Sequence, residues 1–238
     1  MAIENISLNE LSFDILEIYR QNIKDSTFVD IRQVQYWVQT TRAKLIKQKL
    51  DKDSLFAVDE HFVQEITPNN NPVEMELLDS SIYTGLPTNR FFARTKVAIP
   101  ATIERNGYFH SFTRIGPADR LKESYPIVGY DHALLFGNGK FNTNIPCAFI
   151  MGDRIVLTSK NIQAINGIKY LSIRGIFQNP KEVQLLNDHL STDDDDYPIN
   201  LNMVDDMKNM ILSNNFRFNA KVPVDTVPVD EEIINKKE

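Results

Sequence analysis

The stretch CAFIMGDRIVLTS, Cys147 to Ser159, decides the fold class. Two apolar runs flank Gly152-Asp153, and a glycine-containing pair between such runs predicts a tight turn joining antiparallel strands. The arrangement recurs at Asn106-Gly107 in ATIERNGYFHSFTRI, at Asn138-Gly139 in HALLFGNGKFN and at Asn166-Gly167 in INGIKYLSIRGIF. Upstream, LFAVDEHFVQEI and PVEMELLDSSIY are separated by the loop signal TPNNNP, and FFARTKVAI ends at Pro100. Four hairpin signals predict an antiparallel β-rich domain over 54–179. The strand–helix–strand alternation of a doubly wound parallel sheet is missing from this pattern.

Outward from that sheet, both ends of the chain read as helical. Ser7 and Glu10 form an S-x-x-E capping box that Ile6 and Leu11 staple. Leu8, Leu11, Ile15, Ile18 and Tyr19 then keep helical spacing. Asp30 and Gln33 repeat the start signal, with Val29 and Val34 as the staple, and Ile31, Val34, Val38, Thr41 and Leu45 make one face of a second helix reaching about Lys49. The predicted helical hairpin covers 1–53. After the sheet, Asn179, Pro180 and Glu182 open a helix running to about His189. Asn202 caps another in NMVDDMKNMILSNN, which Asn214-Asn215 should stop. These C-terminal helices, 180–216, are expected to rejoin the hairpin. Residues 217–238, with Pro223 and Pro228 and no helical period, read as an extended arm. The expected fold is α+β: a helical layer from both chain ends, plus a central antiparallel sheet.

Composition narrows the function. The 238 residues are 42% hydrophobic and carry a formal net charge of −6. An acidic chain lacks the basic footprint by which dedicated nucleic-acid binders neutralise phosphates. Cys147 is the sole cysteine, which excludes an internal disulfide framework; among apolar neighbours it reads as a small buried hydrophobe. No apolar run is long enough to span a bilayer, and the N-terminal residues lack a signal-peptide pattern.

Candidate chemistry is sparse. GNGK at Gly137 to Lys140 lacks the length and the Ser/Thr of a phosphate loop. The run Asp193, Asp194, Asp195 and Asp196 lacks the spacing and glycine of a calcium loop and reads as a solvated or partner-facing acidic loop. His61, His110, His132 and His189 are scattered without metal-ligand spacing. No catalytic residue, cofactor or metal site is assigned. Trp37 reads as helix-packing material. Arg42, Lys44, Lys47 and Lys49 crowd the end of the second helix, where cations complement the negative end of the helix dipole.

Several motifs taken in order resemble a known family. LNELSFDILEIYRQ, DIRQVQYWVQTTRAKLIKQKL, DEHFVQEI followed by VEMELLDSS, RTKVAIPATIERNG, FTRIGPADR, IKYLSIRGIFQNPKEV and YPINLNMVDDMKNMIL are similar to the structural ring proteins of crAss-like tailed phages. The resemblance implies a non-enzymatic virion protein forming a ring of twelve copies at the portal vertex. It would join portal or adjacent rings to the tail and let genomic DNA pass without sequence-specific binding. A head-to-tail ring needs two different complementary faces on each subunit. Arg42, Lys44, Lys47 and Lys49 are the expected basic face, and Asp193 to Asp196 or Asp205 and Asp206 the acidic one. Val222, Pro223, Val224, Val227, Pro228 and Val229 are the expected docking arm. Glu74 or Glu76 would be lumen-facing acids. The alternative is a carbohydrate- or receptor-binding β module of the tail, for which Tyr83, Tyr125 and Tyr130 are the candidate aromatics.

Overall fold

A computed structural model describes residues 6–22, 29–52, 59–79, 90–105, 109–119, 121–136 and 145–219. Helix α1 (Leu8–Asn22) starts where its local signal says. The Ser7 Oγ accepts from the Glu10 N–H at 3.1 Å, and the Glu10 carboxylate accepts from the Ser7 N–H at 3.0 Å, so two otherwise orphaned donors are satisfied reciprocally. Helix α2 (Ile31–Lys52) follows Asp30, whose backbone carbonyl accepts from Gln33 and Val34. Its buried row is Val34, Val38, Arg42 and Ile46, spaced at one helical repeat of four.

The strands are β1 (Gln64–Ile66), β2 (Val73–Leu78), β3 (Phe91–Thr95), β4 (Glu104–Arg105), β5 (Phe109–His110), β6 (Phe112–Pro117), β7 (Cys147–Met151), β8 (Arg154–Ser159) and β9 (Tyr170–Gly175). The further helices are α3 (Tyr130–Leu135), α4 (Ile162–Asn166), α5 (Pro180–Asn187) and α6 (Val204–Asn219). All strand pairings in the main sheet are antiparallel. The β7–β8 turn is the one Gly152-Asp153 announces: Met151 faces Arg154, and Gly152 takes φ +65, a conformation glycine adopts without steric cost. The strands β4 and β5 likewise pair across the predicted Asn106-Gly107 turn, which itself lies outside the described residues.

The centre of the sheet is non-local. β9 lies between β6 on one edge and β1 and β2 on the other. β1 faces Ile173 to Gly175 and β2 faces Tyr170 and Leu171, so these two strands run in line along one edge of β9 instead of pairing with each other. The intervening loop contains Asn69 and Asn70 at positive φ, which asparagine tolerates better than most residues. β2 then pairs with β3 over Met75 to Leu78, and β8 and β7 complete the order.

Two expected hairpins differ, the first only in its leading strand, since Asn138-Gly139 lies outside the described residues. HALL, expected as strand, lies in α3. It contains no β-branched residue, and Ala133 packs with Phe92, Cys147, Phe149 and Val156 on one face of the sheet. Asn166-Gly167 closes α4 instead of a hairpin. Asn161 caps that helix by accepting from the Gln163 N–H at 2.9 Å, Ile165 is buried, and Gly167 has φ −75. A turn of two residues could not carry the chain from β8 past β3 and β2 to β9.

Three apolar clusters hold the molecule. Leu11, Ile15, Val34, Val38, Met207 and Ile211 join α1, α2 and α6, as expected for helices from both chain ends. Phe62, Ile103 and Ile176 tie this layer to the sheet. Ala148, Leu157, Leu171 and Ile173 fill the sheet's own core. Each fully buried large aliphatic side chain contributes about 1.5–3 kcal/mol. Helix α5 packs on that second core through Val183 and Leu186, so of the two C-terminal helices it is α6 that rejoins the hairpin. α6 is preceded by a short 3-10 turn (Leu201–Met203) capped by Asn200, not Asn202. It passes through Asn214-Asn215 to Asn219, because asparagine costs a helix only tenths of a kcal/mol unless it turns left-handed.

Candidate functional site

The basic end of α2 divides once its side chains are placed. Arg42 is fully buried. Its Nε donates to the Pro198 carbonyl at 2.8 Å and its Nη1 to the Phe177 carbonyl at 3.1 Å. Its guanidinium lies over the Tyr197 ring, 5.6 Å from the centroid. Burial pushes the guanidinium pKa below its ordinary value, with Tyr197 acting in the opposite sense. Arg42 is therefore a strut inside the helical core and not part of an exposed basic face in this chain. Lys44 and Lys49 are exposed and Lys47 is half-buried. The Lys47 ammonium donates to the Glu104 carbonyl at 2.9 Å, and Lys49 lies 5.5 Å from the centroid of Phe62.

The acidic run Asp193 to Asp196 belongs to a strap that crosses the start of the helical hairpin. The Asp193 carboxylate accepts from Gln35 of α2 at 3.2 Å and forms an ion pair with Lys181 of α5, and its carbonyl accepts from the Asn9 N–H at 3.1 Å. The Asp194 carboxylate accepts from the Asn9 side chain at 2.7 Å. Asp195 accepts from the Ser191 hydroxyl and the Thr192 N–H, both at 2.7 Å, which hold its carboxyl below the ordinary range. Beside Asp196, Tyr197 N–H donates to the Ile6 carbonyl at 2.9 Å. Gln184 donates to the Asp196 carbonyl at 2.8 Å. The strap thus fastens α1, α2 and α5 to one another. Asn9, Gln35 and Lys181 are the partners that sequence reasoning missed, because their contacts join residues far apart in the chain.

Asp205 and Asp206 are exposed in the first turn of α6, where negative charge complements the helix dipole. Behind them Lys208 pairs with Asp14 of α1 at 3.1 Å. The structure does not bring Lys44 together with Asp205 or Asp206 by any ion pair among the described residues. The expected docking residues Val222, Pro223, Val224, Val227, Pro228 and Val229 lie outside the described residues, as does Tyr83. Glu74 and Glu76 do not stand as isolated acids: Glu74 pairs with Lys96 at 2.6 Å and Glu76 with Arg94 at 2.5 Å, across β2 and β3.

The remaining candidates are structural. Cys147 is buried, and burial pushes its thiol up to about 11. Trp37 packs against the helical core, with Tyr19 at 6.4 Å. Tyr130 rests edge-on against Phe149 at 5.6 Å, and burial raises the Tyr125 phenol. Two clefts open on the surface. One, of about 510 Å³, is lined by His61, Gln64, Gln184 and the strap after Asp196. The other, of about 450 Å³, is lined by His110, Ile127, Tyr130, His132 and Ile150. Among the described residues no three His, Cys, Asp or Glu side chains are grouped to hold a metal ion, and no helix is long and apolar enough to cross a membrane.

What the geometry offers is charge on surfaces facing away from the core and a fold closed by its own strap. No curated protein matches the chain. The family model described as phage tail ring protein 2 matches residues 10–232, which spans both helical ends and every strand of the sheet. The chain belongs to the crAss phage tail ring protein 2 family.

Proposed function

We propose that this chain closes head to tail into a ring of twelve copies that joins the portal, directly or through an adjacent ring, to the tail and continues the DNA channel. It works by geometry and carries no catalytic step. The family match over nearly the whole chain carries this reading. In support, the exposed Lys44 and Lys49 lie on α2 while the exposed Asp205 and Asp206 lie on α6. A heterologous interface requires two such unlike surfaces. The net charge of −6 disfavours tight binding to phosphate backbones, so DNA would pass instead of sticking. Assembly would take place in the host bacterial cytoplasm, before the ring joins the virion. Residues 217–238 would serve as the docking arm.

The native mass of the purified full-length chain, alone and with portal, tests the reading, together with class averages by electron microscopy. Closed rings of twelve are expected. A monomer that also fails to join the portal would overturn the proposal, and rings of another count would overturn the twelvefold part alone.

A further inference from the structure

A sheet has two outer edges, and an uncovered edge is a template for another strand. At β6 the chain covers its own edge. The Ile115 carbonyl accepts from the Tyr125 N–H at 2.7 Å, and the Arg114 side chain reaches the Lys122 carbonyl at 2.8 Å. At β7 the cover is partial. Ala148 donates to the Pro126 carbonyl and accepts from the Val128 N–H, both at 2.9 Å. The covering segment then leaves at Gly129, which precedes α3.

The next outward-facing position on β7 is Ile150. Met151 and Arg154 close the two-residue turn, so Cys147, Phe149 and Met151 aim their backbone groups at β8. Ala148 and Ile150 aim theirs away from it. No described residue pairs with the outward N–H and C=O of Ile150. Beside that rung lies the 450 Å³ cleft, walled by Ile127, Val128 and Tyr130. Ile127 and Tyr130 are 41% and 39% exposed, so an added strand would find apolar contact as well as two backbone bonds.

The chain supplies a suitable strand. Residues 220–238 follow the end of α6, and fully extended they reach roughly 60 Å. Lys221 to Val229 reads KVPVDTVPV. Proline joins a sheet only where its nitrogen faces away from the ladder. In Val222-Pro223-Val224 and again in Val227-Pro228-Val229, both valines can face the ladder while the proline blunts the outer side. The two prolines are an odd number of residues apart, so one triplet at a time fits a regular strand. The helical core containing α6 meets the sheet near β9, through Ile176, and β7 is the far end of the strand order. The core in which α6 is rooted therefore lies toward one end of the strand order, and the open rung sits at the other. Head-to-tail neighbours bring those two ends together.

We propose that the segment Lys221 to Val229 of an adjacent copy adds as a short strand at Ile150 of β7, seated in the cleft formed by Ile127, Val128 and Tyr130. The assignment rests on the ring reading and specifies how neighbours are locked.

Disulfide trapping in the full-length chain tests it. Ile127→Cys is combined in turn with Val222→Cys, Val224→Cys, Val227→Cys and Val229→Cys, and Thr113→Cys on β6 replaces Ile127→Cys as the control edge. Native Cys147 stays, since it is buried. The expected result is a ladder of covalent dimers, trimers and larger species with Ile127→Cys and at least one arm position, collapsing to monomer on reduction. Rings that form normally but trap nothing would overturn this inference and leave the ring reading standing. Trapping within a single chain, or only with Thr113→Cys, would overturn it equally. A protein that is monomeric by native mass and also fails to join the portal overturns both readings.

Discussion

Arg42 and Tyr197 stack inside the helical core, guanidinium over ring at 5.6 Å, with no carboxylate among the described residues bonded to the cation. The charge is satisfied by the carbonyls of Pro198 and Phe177, and its Nη2 has no hydrogen-bond partner among the described residues. One side chain thereby joins α2 to the segment after the strap and to the segment following β9. Arg42→Ala removes both bonds and leaves two buried carbonyls facing a cavity. The expected loss is about 3 kcal/mol or more, read as a lower urea midpoint with unchanged slope. Arg42→Met keeps most of the volume and should lose less. Equal midpoints for wild type and Arg42→Ala would rule out the strut.

Alkaline pH should loosen that core at Tyr197 and the sheet-face cluster at Cys147. Burial holds the Tyr197 phenol up to about 12 and the Cys147 thiol up to about 11, above ordinary values of 10.0 and 9.0. A group whose folded pKa is raised contributes stability that is complete below its unfolded pKa and is lost as pH rises through the folded value. Stability should therefore start to fall above about pH 9 through Cys147 and more steeply above about pH 10 through Tyr197. Each group adds a slope of up to about 1.4 kcal/mol per pH unit. Cys147→Ala should delay the onset to about pH 10. An onset unchanged in that variant would show that Cys147 does not titrate in the unfolding transition.

What could be read from the sequence depended on how local the signal was. The Ser7–Glu10 box and the Gly152 turn are each complete within a few residues, so the start of α1 and the β7–β8 hairpin were legible. The place of β9 was not, because its neighbours β6, β1 and β2 lie far away in the chain and register is set by packing. Charge was legible as composition, but burial was not. Arg42 was grouped with Lys44, Lys47 and Lys49, although it continues the row Val34 and Val38 at spacing four. That row, extended to Ile46, was the signal that would have put it inside.

The two glycine-containing turns make opposite predictions. Gly152 holds φ +65, where a β-carbon is strained, so Gly152→Ala should cost about 1–2 kcal/mol. Gly167 holds φ −75, and an added β-carbon would meet only the Gln163 carbonyl at 3.5 Å. Gly167→Ala should stabilise by about 0.4–1 kcal/mol by restricting the unfolded chain. Thermal melts of the two variants separate the cases. A destabilised Gly167→Ala would show that a β-carbon is not accommodated beside the Gln163 carbonyl.

Assembly and folding should respond to different charges. Lys44 is exposed with no ion pair among the described residues, whereas Asp193 is held by Gln35 and Lys181. Reversing Lys44 and Lys47 to Glu should lower the melting temperature by no more than a few degrees, the cost being the Lys47 bond to the Glu104 carbonyl, since surface charges contribute little to folding. It should weaken the oligomer, and added salt should reduce the difference from wild type, because exposed charges are screened within about 10 Å at 0.1 M. Asp193→Ala should do the reverse. It unfastens the strap and leaves Lys181 and Gln35 without that carboxylate, so the melt moves down by several degrees while the oligomer formed by the folded chain keeps its salt dependence. Melting curves and native mass across a salt series measure both quantities on each variant. Reversal of Lys44 and Lys47 with ring yield and salt response unchanged would remove the basic end of α2 from the interface. The β7 edge would then carry the contact between neighbours without it.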